Sequence, residues 1–111
     1  LYRFQHPALS AKETCEGIIS AAEAHAAANG GWTSKRHANY PATDLEVREI
    51  PALEHVFDRV REAVFPFIEQ VHALGRKNWR FNDLFIVKYE HGRQSSLPNH
   101  QDSGTFSFTV L

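Results

Sequence analysis

Phe85-Ile86-Val87-Lys88-Tyr89-Glu90-His91-Gly92-Arg93-Gln94 leads through Ser95-Ser96 into Leu97-Pro98-Asn99-His100-Gln101-Asp102-Ser103, and Phe106-Ser107-Phe108-Thr109-Val110-Leu111 closes the chain. Phe85, Val87 and Tyr89 alternate with Ile86, Lys88 and Glu90, the period of a β-strand. Glu90-His91-Gly92-Arg93 has the composition of a turn, and Gln94 to Asn99 is polar and loop-like. Phe106, Phe108 and Val110 alternate with Thr105, Ser107 and Thr109, which predicts a second strand. Between the two strands stands His100-Gln101-Asp102. On extended backbone alternate residues share a face, so this imidazole and this carboxylate can address one ion.

Upstream the period is helical. Ser10-Ala11-Lys12-Glu13 has the form of a capping box, and Cys15, Ile18, Ile19, Ala22 and Ala26 follow at helical spacing. Asn29-Gly30-Gly31 predicts the stop, because glycine adopts the left-handed conformation cheaply. Trp32 to His37 suggests a short strand, Asn39 to Asp44 a loop, and Leu45 to Ile50 extended chain. Pro51 suits the first turn of a helix. Leu53, Val56, Phe57, Val60, Val64, Phe67, Ile68 and Val71 then form one apolar stripe, with Pro66 expected to kink or divide the helix and Gly75 to end it. Helices first and strands after predict an α+β fold, with helices on one face of an antiparallel sheet.

With 111 residues, 42% of them hydrophobic, the chain is sized for one domain with one core. Twelve Lys and Arg stand against 13 Asp and Glu, for a net charge of -1. That balance offers no basic stripe for nucleic acid. No apolar run approaches the ~20 residues needed to cross a bilayer. Cys15 is the single cysteine, so an internal disulfide is excluded. The chain opens at Leu1 and closes within an alternating apolar run, so it is expected to be part of a longer protein.

Two histidines and a carboxylate form the facial triad that holds iron(II) with positions open for substrate and oxygen, and His100 and Asp102 supply two members of such a set. A bare His-x-Asp is a weak signal. Its setting, between a polar loop and an apolar strand, strengthens it, since ligands at the edge of a sheet are well held. Glu69-Gln70-Val71-His72 has the Glu-x-x-His spacing of di-iron bundles but occurs once, and reads as a solvated helix face. His91 falls in the turn, and His6, His25, His37 and His55 lack ligand-like company. Lys35, Arg36 and Arg93 read as surface charge. Trp32 and Tyr40 suit a core, with the rim of a peptide groove as the alternative.

The composite from Phe85 to Leu111 resembles the core of the prolyl 4-hydroxylase type of iron(II) and 2-oxoglutarate dependent dioxygenases, a group that includes lysyl hydroxylases. The shared pattern is a strand ending in Tyr, a turn with Gly, Leu-x-x-His-x-Asp, and a strand rich in Ser and Phe. The resemblance implies a double-stranded β-helix (jelly-roll), with residues 1–111 as the N-terminal portion of one such domain. It implies that His100 and Asp102 bind Fe(2+), that Tyr89 lines the 2-oxoglutarate pocket, and that L-ascorbate restores over-oxidised iron. The expected reaction is hydroxylation of a prolyl or lysyl residue in a peptide or protein, with release of succinate and CO2. The family's distal histidine and 2-oxoglutarate-binding basic residue are expected beyond Leu111, so residues 1–111 alone are expected to turn over nothing. Two other readings stay open. One is a non-catalytic jelly-roll homologue. The other is an α+β interaction domain without a metal site. Residues after Leu111 separate the first from an enzyme, and the directions of His100 and Asp102 bear on the second. On the residues alone, Tyr89 also fits a core aromatic on the Phe85 and Val87 face.

Overall fold

A computed structural model describes residues 1–34 and 43–111. The described residues form three α-helices and a two-stranded antiparallel sheet, an α+β arrangement. The helices are α1 (Pro7–Ser10), α2 (Lys12–Ala28) and α3 (His55–Val71). The strands are β1 (Asp44–Glu46) and β2 (Phe85–Val87), and two 3₁₀ turns, Val47–Glu49 and Pro51–Leu53, lead into α3.

The first helical signal is divided. His6 caps α1 through Nδ1, which accepts from the Ala8 amide at 3.1 Å, and Pro7 occupies the first turn. Ser10 is the last residue of α1 and Ala11 caps α2 without a side-chain hydrogen bond, so the expected capping box does not form. A cap is taken by the residue whose backbone leaves the helix, and at this point that residue is Ala11. At the other end the expectation holds. Gly30 takes φ 85°, and the Gly31 amide reaches back to the Ala26 carbonyl at 2.7 Å, the six-to-one bond of a Schellman motif.

Helix α3 carries two distinct faces where the sequence suggested one stripe. Val56, Val60, Ala63 and Val64 are buried against Leu53, Ile50, Val47 and Leu45, joined by Ala22 and Ala26 of α2 and by Ala8 and Leu9 of α1. Small alanines let α2 approach closely, and burying each of the larger aliphatic side chains, such as Leu53, Val47 and Val60, contributes about 1.5–3 kcal/mol. On its other flank α3 stacks aromatics. Phe57 and Phe65 meet Phe81 at 5.0 and 5.1 Å between ring centroids. Phe65 meets Trp79 at 5.7 Å, and Trp79 meets Phe106 at 5.5 Å. Phe67 continues the side of Val60 and Val64 by helical spacing and stacks on Phe4 at 3.9 Å. The helix continues through Pro66 and is not divided there.

Its end also lies elsewhere than expected. Ala73, at φ 51°, is the left-handed residue, with the Leu74 amide donating to the Glu69 carbonyl at 2.8 Å and the Ala73 amide to Gln70 at 3.3 Å. This is a complete Schellman motif on an alanine, two residues before Gly75.

The strands pair with Leu45 opposite Ile86, flanked by Asp44 with Val87 and Glu46 with Phe85. Lys88 N–H to Thr43 O at 2.8 Å and Val47 N–H to Leu84 O at 2.9 Å extend the ladder. Asp44, expected in a loop, begins β1 and is fully buried, and its amide donates to the Thr33 carbonyl at 2.9 Å. The stretch expected to be extended through Ile50 turns into 3₁₀ geometry at Val47. The remaining expectations for 35–42, including Lys35, Arg36, His37 and Tyr40, lie outside the described residues.

Beyond β2 the turn forms as read. The Arg93 amide donates to the Glu90 carbonyl at 3.1 Å, and Gly92 takes φ 78°, the position a type II turn reserves for glycine. The second strand, expected over 105–110, is not formed. Alternation selects faces but supplies no partner, and among the described residues no strand lies beside it. Its side chains still dock: Phe108 packs on the core, and Phe106 meets His72 at 4.9 Å as well as Trp79. No helix among the described residues is long and apolar enough to cross a membrane.

Candidate functional site

The segment bearing His100 and Asp102 is pinned at both ends. Upstream, the Gln94 side chain accepts from the Thr43 amide and donates to the Ser96 carbonyl at 3.2 Å. Downstream, Phe106 and Phe108 anchor it on the aromatic flank and the core. Between them the Asn82 amide donates to Ser103 Oγ at 2.7 Å, joining the residue after Asp102 to the stretch preceding β2.

His100 and Asp102 converge. His100 Nε2 lies 3.2 Å from Asp102 Oδ1, with the two side chains 25% and 51% exposed. His100 Nδ1 lies 2.9 Å from the Pro98 carbonyl oxygen. A carbonyl only accepts, so Nδ1 carries the proton. In a neutral ring Nε2 then presents its lone pair toward the carboxylate. Two such acceptors in contact need a proton or a cation between them.

The separation suits a cation. Donors ~2.1 Å from a divalent first-row ion and 90° apart lie about 3.0 Å from each other. An imidazole nitrogen beside a carboxylate oxygen is also the donor set that such ions take. The carbonyl on Nδ1 is the kind of outer partner that fixes tautomer and ring orientation in histidine metal ligands. Among the described residues no group of three His, Cys, Asp or Glu comes together.

Tyr89 lies just past β2 and is 53% exposed, outside the core that its alternation with Phe85 and Val87 had also allowed. Two other described histidines have local contacts. His25 contacts the Asn29 side chain, and His72 sits edge-on to Tyr2 at 5.8 Å. Glu69 accepts from the Lys77 amide at 2.9 Å. Trp32 donates to Glu23 at 3.1 Å, and Lys88 reaches the same carboxylate at 2.7 Å. The Lys88 ammonium and then the Trp32 indole hold the Glu23 carboxyl below its ordinary value. Sequence reasoning passed over Asn82. Its signal, a lone polar amide between Phe81 and Asp83, does not stand out without the fold.

A small α+β domain that presents a converging His-x-Asp pair at the end of a polar loop is thus the class defined by fold and site. Among known proteins, the chain is similar to the human multifunctional procollagen lysine hydroxylase and glycosyltransferase LH3, at 24% identity over 111 residues, covering 92% of this chain. The Rattus norvegicus protein of the same name matches at the same identity. The procollagen lysyl hydroxylase and glycosyltransferase of Acanthamoeba polyphaga mimivirus is 29% identical over 75 residues, 65% of this chain. The chain spans 14% of the length of LH3 and 8% of the viral protein. No protein-family profile matches the chain. No solved structure matches it either.

Proposed function

We propose that this chain contributes the first part of a jelly-roll domain of an iron(II) and 2-oxoglutarate dependent oxygenase that hydroxylates a peptidyl residue. One observation carries the reading: His100 Nε2 and Asp102 Oδ1 meet at 3.2 Å with the imidazole tautomer already set by Pro98. Of the two residue classes that the sequence resemblance leaves open, the names of the similar proteins favour lysine over proline.

In this reading His100 offers a neutral Nε2 and Asp102 a carboxylate oxygen as two of three protein ligands, and a histidine from elsewhere in the protein supplies the third. Iron(II), when bound, supplies with oxygen and 2-oxoglutarate the oxidising power that places a hydroxyl on an unactivated carbon, with succinate and CO2 as co-products. Pro98 keeps the proton on Nδ1, so the ligating nitrogen stays free. Asn82 and Ser103 hold the backbone after Asp102 in place. Tyr89, exposed just past β2, would border the 2-oxoglutarate in this reading. L-ascorbate serves as the reductant that maintains the iron.

The test is succinate formation by the full-length protein with iron(II), 2-oxoglutarate and lysine-containing collagen-like peptides. His100→Ala and Asp102→Ala are expected to abolish peptide-dependent succinate, beyond the roughly 10–100-fold that outer-partner losses cost in metal sites. Activity that survives either substitution would refute the assignment. Hydroxylation of proline rather than lysine in those peptides would overturn the residue class alone.

A further inference from the structure

The 3₁₀ turns, α3 and the 79–81 segment form a groove of about 660 Å³ whose lining includes neither His100 nor Asp102. Arg48, Arg61 and Arg80 line it against one carboxylate, Glu54, and Trp79 and Phe81 give it an aromatic wall. Arg61 is already engaged: it pairs with Asp58 at 2.9 Å and lies 5.1 Å from the Phe81 ring centroid. Arg48 and Arg80 are exposed, and neither has an ion-pair partner among the described residues. The Trp79 indole N–H is buried without an acceptor among the described residues. A buried donor left in that state carries a desolvation cost.

We propose that this groove docks an acidic peptide segment, one that presents carboxylates to Arg48 and Arg80 beside an apolar or aromatic side chain that packs on Trp79 and Phe81. Guanidinium forks match carboxylates in shape as well as charge. The cationic character is local, because the chain as a whole carries a net charge of -1. That argues against an extended polyanion, which needs an aligned basic stripe. The apolar wall distinguishes a peptide from a small inorganic anion, which has no side chain to place there. None of these residues belongs to the His-Asp site, so the proposal stands or falls apart from the oxygenase reading.

The test uses full-length protein labelled with 5-fluorotryptophan, the Trp79 signal being assigned by its loss in Trp79→Phe. The probes are a capped pentapeptide alternating glutamate with leucine and phenylalanine, its lysine counterpart, and inorganic phosphate. The acidic peptide is expected to shift the Trp79 signal, and the lysine peptide to leave it in place. Arg48→Glu with Arg80→Glu is expected to weaken binding at low salt by at least about tenfold, as charge reversal at a complementary surface does. Arg48→Gln with Arg80→Gln provides a milder pair, and the three wild-type titrations decide the matter should either pair unfold. Four results would overturn the proposal: no shift with the acidic peptide, an equal shift with the lysine peptide, saturation by phosphate at the same affinity, or a signal that moves on dilution without peptide. The last would assign the groove to a second copy of the chain.

Discussion

Asn82→Ala removes the bond that ties Ser103, next to Asp102, to the stretch before β2. The Asn82 amide to Ser103 Oγ distance is 2.7 Å, and both residues are exposed. A neutral hydrogen bond contributes about 0.5–1.5 kcal/mol net, and solvent competition places this one toward the lower end. If that contribution goes into holding Asp102 in position to bind, its loss weakens the metal dissociation constant by about 2–5-fold. Calorimetric titration of iron(II) into the full-length protein, under anaerobic conditions, reads this directly. Ser103→Ala is expected to cost the same, and the double variant no more than either single, because one bond cannot be lost twice. Losses that add, or an Asn82→Ala variant that binds iron(II) as wild type does, would refute the argument.

Other predictions concern the scaffold. Ala73→Gly should stabilise the domain, since the left-handed conformation at φ 51° costs a non-glycine residue about 1–2 kcal/mol while glycine's added unfolded-state entropy takes back about 0.4–1; a lower thermal midpoint would contradict the helix-end assignment. Leu53 is fully buried, so Leu53→Ala should destabilise by about 2–5 kcal/mol in denaturant titration, and a loss under ~1 kcal/mol would show that the core is mislocated. Glu23 titrates below its ordinary value of 4.5, chiefly through Lys88. Its stabilising contribution is therefore complete above pH 4.5 and is lost as the pH falls through the lowered folded value. The stability gap between wild type and Glu23→Gln should close with acidification over that window, and a gap that widens would reverse the sign of the argument.

Much of this was legible before any coordinates. Helical spacing locates α2 and α3 because each buries a face of period 3.6, and Gly30 and Gly31 mark an end that only a left-handed backbone can make. His100 and Asp102, two residues apart, meet at 3.2 Å, and their i, i+2 spacing is what singled them out in the sequence. What escaped depends on neighbours. Ser10 lost its capping role because His6 and Pro7 start a short helix before it. Asp44 is a poor strand former alone, and pairing with Val87 and Thr33 decides its place. The apolar stripe read for α3 included Phe57, which meets Phe81, but left out Phe65, which meets both Phe81 and Trp79. Alternation over 105–110 fixes faces, while a strand needs hydrogen-bonding partners that a local pattern does not name.

The most direct measurement is anomalous diffraction at the iron edge from anaerobic crystals of the full-length protein grown with iron(II). A single peak within ~2.3 Å of both His100 Nε2 and Asp102 Oδ1 is the predicted result. Iron-replete crystals with no peak there, and the two side chains joined only by a hydrogen bond, would contradict it.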